Sequence, residues 1–374
     1  MAVLALDGVL RRYDWGSTTA IPQLLGVEPD GRPAAELWFG AHPDDPSTVV
    51  ETGVPLDRVI DEDPLTTLGA GALDRFGPRL PFLLKVLAAG TALSIQVHPT
   101  LDQARAGFAA EDAAGIARDA PTRNYRDANH KPELVCALTP FDALCGFRPV
   151  PVVRDVLAAL ALPELDFVTA ALDSPQPLRT AFTAILEHPD IAPVSRAVGE
   201  RASGRGETLH GVALATQDFP GDAGVVLALL LNYVRLEPGE AIFLGAGNVH
   251  AYLRGTGVEI MANSDNVLRC GLTAKHVDVA ELLAITDFEP LAQPRWPAQR
   301  GVFEVPVPDF RLVTFEVDEA VGLDDAGPSI VLCTSGAVQV GDVPVGAGHA
   351  AFVPAAEATT ISGAGTVYIA GAGG

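Results

Sequence analysis

Glycine and proline interrupt this chain so often that long regular elements have room in only one part of it. The sequence contains 37 glycines and 30 prolines in 374 residues, spread along its length rather than arranged in a repeat. Short apolar runs stand between these turn residues, for example PFLLKVLAAG (81–90), ELVCAL (133–138) and FRLVTFEV (310–317). Because short strands separated by turn residues are typical of sandwiches and barrels, we predict a mainly β fold.

One stretch departs from this pattern and is predicted to be helical. Apolar residues recur there at the three- and four-residue spacing of a buried helix face: Val153, Val156, Leu157 and Leu160, then Leu178, Phe182, Ile185 and Leu186. Pro163, Pro175 and Pro177 separate the predicted helices. We interpret residues 152–225 as a helical subdomain inserted into a β-rich body.

The charge balance argues against polyanionic partners. Asp and Glu number 47 against 25 Lys and Arg, which gives a formal net charge of −22. Such a field repels phosphate backbones and anionic lipid headgroups. We therefore expect no nucleic-acid partner and no membrane partner, and we expect a small-molecule ligand instead.

Several features predict a cytoplasmic protein. The longest apolar run, 225–231, is far shorter than the roughly 20 residues that a membrane-spanning helix needs. The N-terminal residues lack the order of charged and apolar regions found in a signal peptide. The four cysteines, Cys136, Cys145, Cys270 and Cys333, are widely spaced and form no CxxC pair. We therefore expect reduced and mostly buried thiols.

Four polar residues in β-like runs suggest a metal site. Gln96 and His98 stand two positions apart in SIQVHP (94–99), so they point to the same face of a strand. Glu133 opens an apolar run, where a carboxylate is costly to bury unpaired, and His250 follows a Gly-rich turn. Each alone has an ordinary structural explanation, as a core or surface histidine or a strand-end glutamate. Together, two imidazoles, one carboxylate and one amide oxygen suit Zn²⁺, or another borderline divalent ion, with open positions.

The string VEIMANSDNVLRCGLTAKH (258–276) is unusually polar for a β body. It contains Glu259, Ser264, Asp265, Asn266, Arg269, Lys275 and His276. The plain interpretation is a solvated loop. The alternative is one wall of an anion-binding cleft, in which Arg269 and Lys275 are counter-charges for a phosphate.

The basic residues are divided very unequally between two types. Of the 25, 22 are arginine and only three are lysine: Lys85, Lys131 and Lys275. All three lysines lie in the segments that carry the candidate residues. Arginine and lysine are not interchangeable in a site, because lysine offers a compact ammonium group whose protonation responds to burial. The lysines are therefore predicted to mark the pocket.

Taken in order, these motifs resemble the type I phosphomannose isomerase family. The matching strings are RYDWGS (12–17), ELWFGAHPDDPS (36–47), PFLLKVL (81–87), SIQVHP (94–99), DANHKPELVCALTPFDALCGFR (127–148) and GNVHAYLRGTGVEIMANSDNVLRCGLTAKH (247–276). The match extends over residues 12–148 and 232–282, and the helical stretch and residues 291–374 match in general character only. The resemblance implies cupin-type, jelly-roll-like β-barrels, one zinc ion per chain, and interconversion of mannose 6-phosphate with fructose 6-phosphate.

The resemblance also implies roles for individual residues and a division into domains. The family's zinc ligands fall on Gln96, His98, Glu133 and His250, its active-site arginine on Arg269, and its pocket positions on Ser94, Lys85, Lys131, Tyr252, Asp265 and Lys275. A catalytic cupin-type domain would comprise residues 1–151 and 226–290, with the helical subdomain at 152–225 between its two parts. Residues 291–374 would form a C-terminal β-barrel without a metal site.

The implied reaction moves a proton between C1 and C2 through an enediol(ate), so it needs a base, an electrophile and an anchor for the phosphate. Zinc would polarise the substrate oxygens as a Lewis acid. Arg269 does not readily lose its proton, so it would stabilise charge rather than act as the base. Lys131 and Glu259 are the candidate bases, and a zinc-bound water is a third candidate. Candidates for phosphate binding are Lys85, Lys275 and Ser94.

Two other functions fit these residues less well. An iron-dependent dioxygenase of the cupin type uses a His-rich triad and needs no phosphate counter-charge, so Gln96 and the basic residues disfavour it. A non-catalytic sugar-phosphate-binding module would be expected to lose metal ligands or Arg269. We therefore predict a zinc-dependent isomerase, expected to be a monomer, with a homodimer left open.

Overall fold

The computed structural model describes residues 2–323, 327–355 and 357–373, and most of its regular structure is β-sheet. Within these residues the strands are β1 (Leu4–Asp7), β2 (Val9–Arg11), β3 (Glu36–Gly40), β4 (Thr48–Val49), β5 (Phe82–Ala89), β6 (Ile95–Val97), β7 (Glu133–Ala137), β8 (Phe141–Phe147), β9 (Leu231–Leu236), β10 (Ala241–Leu244), β11 (His250–Ala262), β12 (Leu268–Gly271), β13 (Arg295–Trp296), β14 (Val302–Phe303), β15 (Arg311–Val317), β16 (Val321–Leu323), β17 (Ser329–Val340), β18 (Val343–Gly346), β19 (Ala350–Val353) and β20 (Thr359–Gly371). The prediction of a mainly β fold is confirmed.

The helices of the described residues are fewer than the strands. They are α1 (Ala20–Leu24), α2 (Leu56–Glu62), α3 (Pro64–Phe76), α4 (Leu101–Ala113), α5 (Val150–Leu160), α6 (Asp166–Ala171), α7 (Pro177–Leu186), α8 (Ile191–Ala202), α9 (His210–Asp218), α10 (Ala223–Leu227) and α11 (Val279–Ile285), with 3-10 turns at Pro163–Leu165 and Glu207–Leu209. In the part of the chain that the structure describes, no helix is long and apolar enough to cross a membrane.

An eleven-stranded sheet forms one barrel, and β11 is its central strand. From Gly255 onward β11 pairs with β5, and from Gly257 to Met261 it also pairs with β7. Its first residues pair instead with β6 and β8. Gly255 permits the change of partner: its φ is +115°, and a Cβ there would lie 2.6 Å from the carbonyl oxygen of Pro140. A single strand therefore presents residues from both halves of the barrel.

A nine-stranded sheet forms the second β layer from the C-terminal part of the chain. Its main path runs β14, β15, β20, β17, β19, β1 and β4, with β16 on β20 and β18 on β17. The N-terminal strand β1 joins it by pairing Leu4 with Phe352 and Leu6 with Ala350. The two N-terminal strands β1 and β4 thus belong to the C-terminal sheet, although they lie at the other end of the sequence.

Six helices, α5 to α10, are inserted between β8 and β9, in the region predicted to be a helical subdomain. The spacing of apolar residues predicts α5 and α7 of these six. Their apolar faces share one core with β6 and β12, in which Val153, Phe182 and Ile185 pack with Val97 and Leu268. Burying a large aliphatic or aromatic side chain contributes roughly 1.5–3 kcal/mol. The insertion therefore supports two strands that carry candidate site residues.

Helices α2, α3, α4 and α11 are not predicted from the periodicity, although their ends carry local signals. Asp63 accepts a hydrogen bond from the backbone N–H of Thr66 at the start of α3. Thr100 and Gln103 form a reciprocal capping box at the start of α4. Such caps identify a helix start independently of its apolar face.

Candidate active site

A cleft of about 1050 Å³ opens beside β5, β6, β7, β11 and β12. This volume is at the upper end of the range for small-molecule sites, about 300–1,000 Å³. Ten of the twelve predicted site residues line it: Lys85, Ser94, Gln96, Lys131, Glu133, Tyr252, Glu259, Asp265, Arg269 and Lys275. The other two, His98 and His250, are fully buried beside Glu133.

His98, Glu133 and His250 form a compact buried group, which we call the metal group. Nε2 of His98 lies 3.5 Å from Oε1 of Glu133, and Nε2 of His250 lies 3.4 Å from Oε2 of the same carboxylate. One ligand atom from each residue lies within 4.8 Å of the others. Gln96 is the register partner of His250 across β6 and β11, so the two side chains share one face of the sheet.

The metal group presents lone pairs that the protein does not use. Among the described residues, no hydrogen-bond partner contacts Nε2 of either histidine or Oε2 of Glu133, and all three atoms are buried. The opposite ring nitrogens are engaged, because Nδ1 of His98 lies 2.7 Å from the carbonyl oxygen of Asn266 and Nδ1 of His250 lies 2.9 Å from that of Asn248. Donation from Nδ1 leaves each Nε2 free as a ligand atom. A divalent metal ion fits this donor set.

The ionisation states in the metal group also suit a metal. Burial lowers the pKa of His98 to about 4, so the ring is neutral near pH 7. Burial alone would raise the pKa of Glu133, but the ammonium of Lys131 and the contacts with His98 and His250 together outweigh burial and hold the pKa well below its usual value. Nζ of Lys131 lies 2.8 Å from Oε1 of Glu133. The group thus combines neutral imidazole with ionised carboxylate.

A second buried charge network lies along β3, β5 and β11. Nζ of Lys85 is 3.1 Å from Oε2 of Glu259 and 3.8 Å from Oε1 of Glu36. Burial alone would lower the pKa of Lys85, but these two carboxylates raise it above its usual value. Tyr252 donates to Oε1 of Glu259 at 2.9 Å, and Nε1 of Trp38 donates to Glu36 at 2.7 Å. Both oxygens of Glu259 are therefore engaged.

Another part of the cleft wall carries three cations close together, Arg126, Arg269 and Lys275, which we call the cation cluster. Burial and the charge of Arg126 lower the pKa of Arg269, while Arg269, burial and Arg126 lower the pKa of Lys275. Among the described residues, no carboxylate forms an ion pair with any of the three. A group of cations without carboxylate partners is suited to binding an anion, and it is unusual in a chain with net charge −22.

Hydrogen bonds to Asp127 fix the segment that follows β11. Its carboxylate accepts from the backbone N–H of Asp265 at 2.7 Å and from Oγ of Ser264 at 2.9 Å. The side-chain amide of Asn266 donates to the carbonyl oxygen of Asp127 at 2.8 Å. Because the carbonyl of Asn266 orients His98, this hydrogen-bond network connects the cleft wall to the metal group.

Glu36, Trp38 and Arg126 line the cleft but are absent from the predicted set. Glu36 and Trp38 stand in the string ELWFGAHPDDPS, one of the strings that carry the family resemblance. Arg126 directly precedes the string that begins at Asp127. Arg126 could not be recognised from its residue type, because the chain contains 22 arginines. Its place beside Arg269 is evident only in the folded chain.

Acid is expected to destabilise the metal-free protein. The folded pKa of His98 is about 4 against an ordinary 6.5, so between these pH values the unfolded chain binds a proton that the folded chain excludes. Stability is thus unaffected above pH 6.5 and falls as the pH drops towards 4, by up to about 3 kcal/mol. The lowered pKa of Glu133 adds a loss in the same direction below pH 4.5.

Urea unfolding of the chelated protein between pH 4 and pH 7 measures this dependence, with His98→Gln as the comparison. The variant should show a flatter pH dependence because it lacks the buried imidazole. Equal slopes for the two proteins would contradict the assignment of the acid sensitivity to His98.

A β-barrel with a buried histidine–glutamate–histidine group at a polar cleft defines a cupin-type metal-binding protein. A family model described as phosphomannose isomerase type I, catalytic domain, matches residues 3–150. Mannose-6-phosphate isomerase of Escherichia coli (strain K12) is 40% identical over 378 residues, covering 95% of this chain and 96% of the relative. That of Bos taurus is 34% identical, covering 96% and 95%.

The fold agrees with this relationship over the whole chain. A crystal structure of mannose 6-phosphate isomerase from Salmonella typhimurium, bound to its substrate and a zinc atom, aligns with a TM-score of 0.92 and 35% identity and covers 100% of both chains. The chain belongs to the type I phosphomannose isomerase family. The predicted family and the predicted cupin-type fold are thereby confirmed.

Proposed function

We propose that this protein is a zinc-dependent isomerase that interconverts mannose 6-phosphate and fructose 6-phosphate. The observation that carries the proposal is the presence of the metal group and the cation cluster on one cleft. A sugar-phosphate isomerase needs both, since charge develops on the substrate oxygens at one end and a phosphate must be held at the other. The Salmonella relative with bound substrate and zinc supports the same pairing.

A coupled assay of the purified protein with mannose 6-phosphate tests the proposal. We expect fructose 6-phosphate to form, the activity to be lost with a chelator, and zinc to restore it. Mannose without the phosphate should be a poor substrate, because the cation cluster then has no ligand. No turnover of mannose 6-phosphate by the zinc-loaded protein would overturn the proposal.

Zinc is assigned to the metal group together with Gln96. When bound, it supplies Lewis-acid polarisation of the substrate carbonyl and hydroxyl oxygens. The protein holds the ligands in place through the carbonyl groups of Asn266 and Asn248 and through Lys131, whose Nζ contacts Oε1 of Glu133. Such supporting contacts fix ligand orientation and basicity.

The cation cluster is assigned to the phosphate, with Ser94 as a further hydrogen-bond donor from the cleft wall. Two guanidinium groups offer planar donor pairs and Lys275 adds a compact charge, a combination suited to phosphate oxygens. Lys85 is assigned to the reacting end of the substrate, because two carboxylates already hold its ammonium group. Asp265 and Tyr252 also line the cleft and are assigned to the sugar hydroxyls.

Two residues remain candidates for the proton transfer between C1 and C2. Glu259 has its pKa raised by burial, but Lys85 and Tyr252 engage both of its oxygens. Lys131 lines the cleft and, in the part of the chain that the structure describes, forms one ion pair, with Glu133. We assign the proton transfer to Lys131, whose neutral form would be favoured once a metal cation binds at Glu133. We assign to Glu259 the role of holding Lys85 and Tyr252.

The variants Lys131→Ala and Glu259→Gln separate these roles. We expect Lys131→Ala to lower kcat by about 10²- to 10⁴-fold, the usual contribution of a general acid–base group, and to remove one limb of the pH profile of kcat/KM. Glu259→Gln should lose less activity and keep both limbs. The opposite pattern, with the limb lost only in Glu259→Gln, would reverse the assignment; zinc content and thermal unfolding of both variants serve as controls.

The organisation of the chain is also part of the proposal. We assign residues 1–151 and 226–290 to a catalytic domain, apart from strands β1 and β4, which pair within the C-terminal sheet. We assign residues 152–225 to a helical subdomain. We assign residues 291–374 to a C-terminal barrel without a metal site, apart from β13, which pairs with β10. We further propose a cytoplasmic monomer. Light scattering of the purified protein at micromolar concentration tests the monomer, and a mass of two chains would overturn it.

A further inference from the structure

The helical insertion contacts the loop that carries Lys275 through one carboxylate, Asp222. We infer that Asp222 is a positioning residue for the phosphate end of the cleft, holding residues 272–275 in their binding conformation. The inference rests on the proposed function, in which Lys275 binds the substrate phosphate. Asp222 lies directly before α10 and is itself absent from the residues that line the cleft.

The hydrogen bonds of Asp222 join the insertion to the loop. Its Oδ1 accepts from the backbone N–H of Leu272 at 2.6 Å and from that of Gly224, the cap of α10, also at 2.6 Å. Its Oδ2 lies 3.4 Å from the backbone nitrogen of Thr273, a longer contact. Hydrogen bonds from backbone N–H to a carboxylate are among the stronger ones in proteins.

A further hydrogen bond connects this loop to the backbone of Lys275. Oγ1 of Thr273 accepts from the backbone N–H of Lys275 at 3.1 Å. Asp222 therefore fixes Leu272 and Thr273, and Thr273 fixes the backbone of Lys275. Thr273 and Lys275 line the cleft, so the chain of hydrogen bonds ends at the surface assigned to the phosphate.

The loop adopts a conformation that its own sequence does not favour. Leu272 has φ of +52°, in the left-handed region that non-glycine residues seldom adopt, and it is 1% exposed. Next to it, Gly271 approaches Gly224 so closely that a Cβ on Gly271 would lie 2.6 Å from the Cα of Gly224. Strained backbone persists only where surrounding structure holds it, and here Asp222 provides a hydrogen bond at that residue.

A role of Asp222 through its hydrogen bonds and a role through its charge predict opposite effects of a substitution on phosphate binding. Among the described residues, it forms no ion pair with the cation cluster, and it is not a cause of the lowered pKa of Arg269 or Lys275. If the carboxylate acted through charge, neutralising it would strengthen phosphate binding. If it acts through hydrogen bonds, removing the acceptor weakens phosphate binding, whereas an amide that keeps one oxygen preserves it.

The variants Asp222→Ala and Asp222→Asn test the inference in the zinc-loaded full chain. We expect Asp222→Ala to raise KM for mannose 6-phosphate and the inhibition constant of inorganic phosphate together, by about tenfold, as expected for loss of a charge-assisted hydrogen bond. The kcat and zinc content should change by less than about twofold, because the metal group is untouched. Asp222→Asn should lie within about twofold of the parent, since asparagine caps helices as well as aspartate does.

Two further measurements make the result specific. Amide exchange at Leu272 and Thr273 should accelerate in Asp222→Ala but not in Asp222→Asn. Asp63→Ala removes a helix-capping carboxylate away from the cleft, at the start of α3, and should leave both constants unchanged. Should Asp222→Ala fail to fold, Asp222→Ser replaces it, because serine keeps the cap of α10 with a shorter side chain.

The outcomes distinguish this inference from the proposed function. An unchanged phosphate inhibition constant and unchanged exchange in Asp222→Ala, in an active enzyme, would overturn the role of Asp222 alone. A parent protein that binds inorganic phosphate but does not turn over mannose 6-phosphate would overturn the proposed function. In that case, weaker phosphate binding by Asp222→Ala would still support the role of Asp222. A parent protein that does not bind phosphate would overturn both.

Discussion

Replacing His250 with alanine is expected to remove zinc and isomerase activity together. The imidazole supplies one of the buried lone pairs that face Glu133, and no other described side chain takes its place in the metal group. Without this imidazole the metal site lacks one ligand, and the missing ring leaves a cavity beside Oε2 of Glu133. Since metal polarisation contributes several kcal/mol to the transition state, kcat/KM should fall by about 10³-fold or more.

Zinc content by mass spectrometry and the coupled isomerase assay measure the two effects on the same sample. His349→Ala is the matched control, because that histidine is exposed on the loop before β19 and its Nδ1 contacts the carbonyl oxygen of Ala347. It should keep full zinc and full activity. A His250→Ala protein that stays active while free of metal would refute the ligand assignment.

Arg269→Ala is expected to lower kcat/KM by about 10²- to 10³-fold, the range seen when a preorganised charge-stabilising donor is removed. The guanidinium group is partly buried on β12 in the cleft and belongs to the cation cluster. Its removal leaves the metal group intact, so zinc binding and thermal unfolding should be close to those of the parent. Because the cation cluster is assigned to the phosphate, we expect a raised KM together with weaker inhibition by inorganic phosphate.

Two companion variants sharpen this result. Arg269→Lys keeps the charge but loses the planar donor pair, and should recover only part of the activity. Arg12→Ala removes an arginine paired with Asp30 outside the cleft and should leave the kinetics unchanged. Normal turnover by Arg269→Ala would remove Arg269 from the site.

The sequence predicts the class of fold because the local signals are strong. Turn residues bound the strands β5, β7, β15 and β17, and helical spacing locates α5 and α7. The pairing of β1 with β19 has no such local signal, since it joins Leu6 to Ala350, which are separated by almost the whole sequence. Alternation and turn chemistry describe a strand but do not name its distant partner, so such pairings are not predictable from local patterns.

Local sequence patterns likewise identify some residues of the candidate site and miss others. Ligand types and their spacing suggest His98, Glu133 and His250, because unpaired imidazole and carboxylate in apolar runs are chemically unusual. Arg126 and Asp222 have no such signal: one is an ordinary arginine and the other an ordinary helix cap in the sequence. Their importance depends on neighbours brought together only by folding, the cation cluster in one case and the strained loop at Leu272 in the other.

The scarcity of lysine gives the cleft a chemical property of its own. All three lysines line it, and the rest of the surface carries arginine as its basic residue. Lys85 and Lys131 are buried and paired with carboxylates, whereas Lys275 is exposed. Among the lysines, Lys275 is therefore the accessible target of acylating reagents, and it lies at the end of the cleft that we assign to the phosphate. Acylation converts its ammonium group into a neutral amide, so the modified protein should bind phosphate more weakly, and bound phosphate should slow the acylation of that amine.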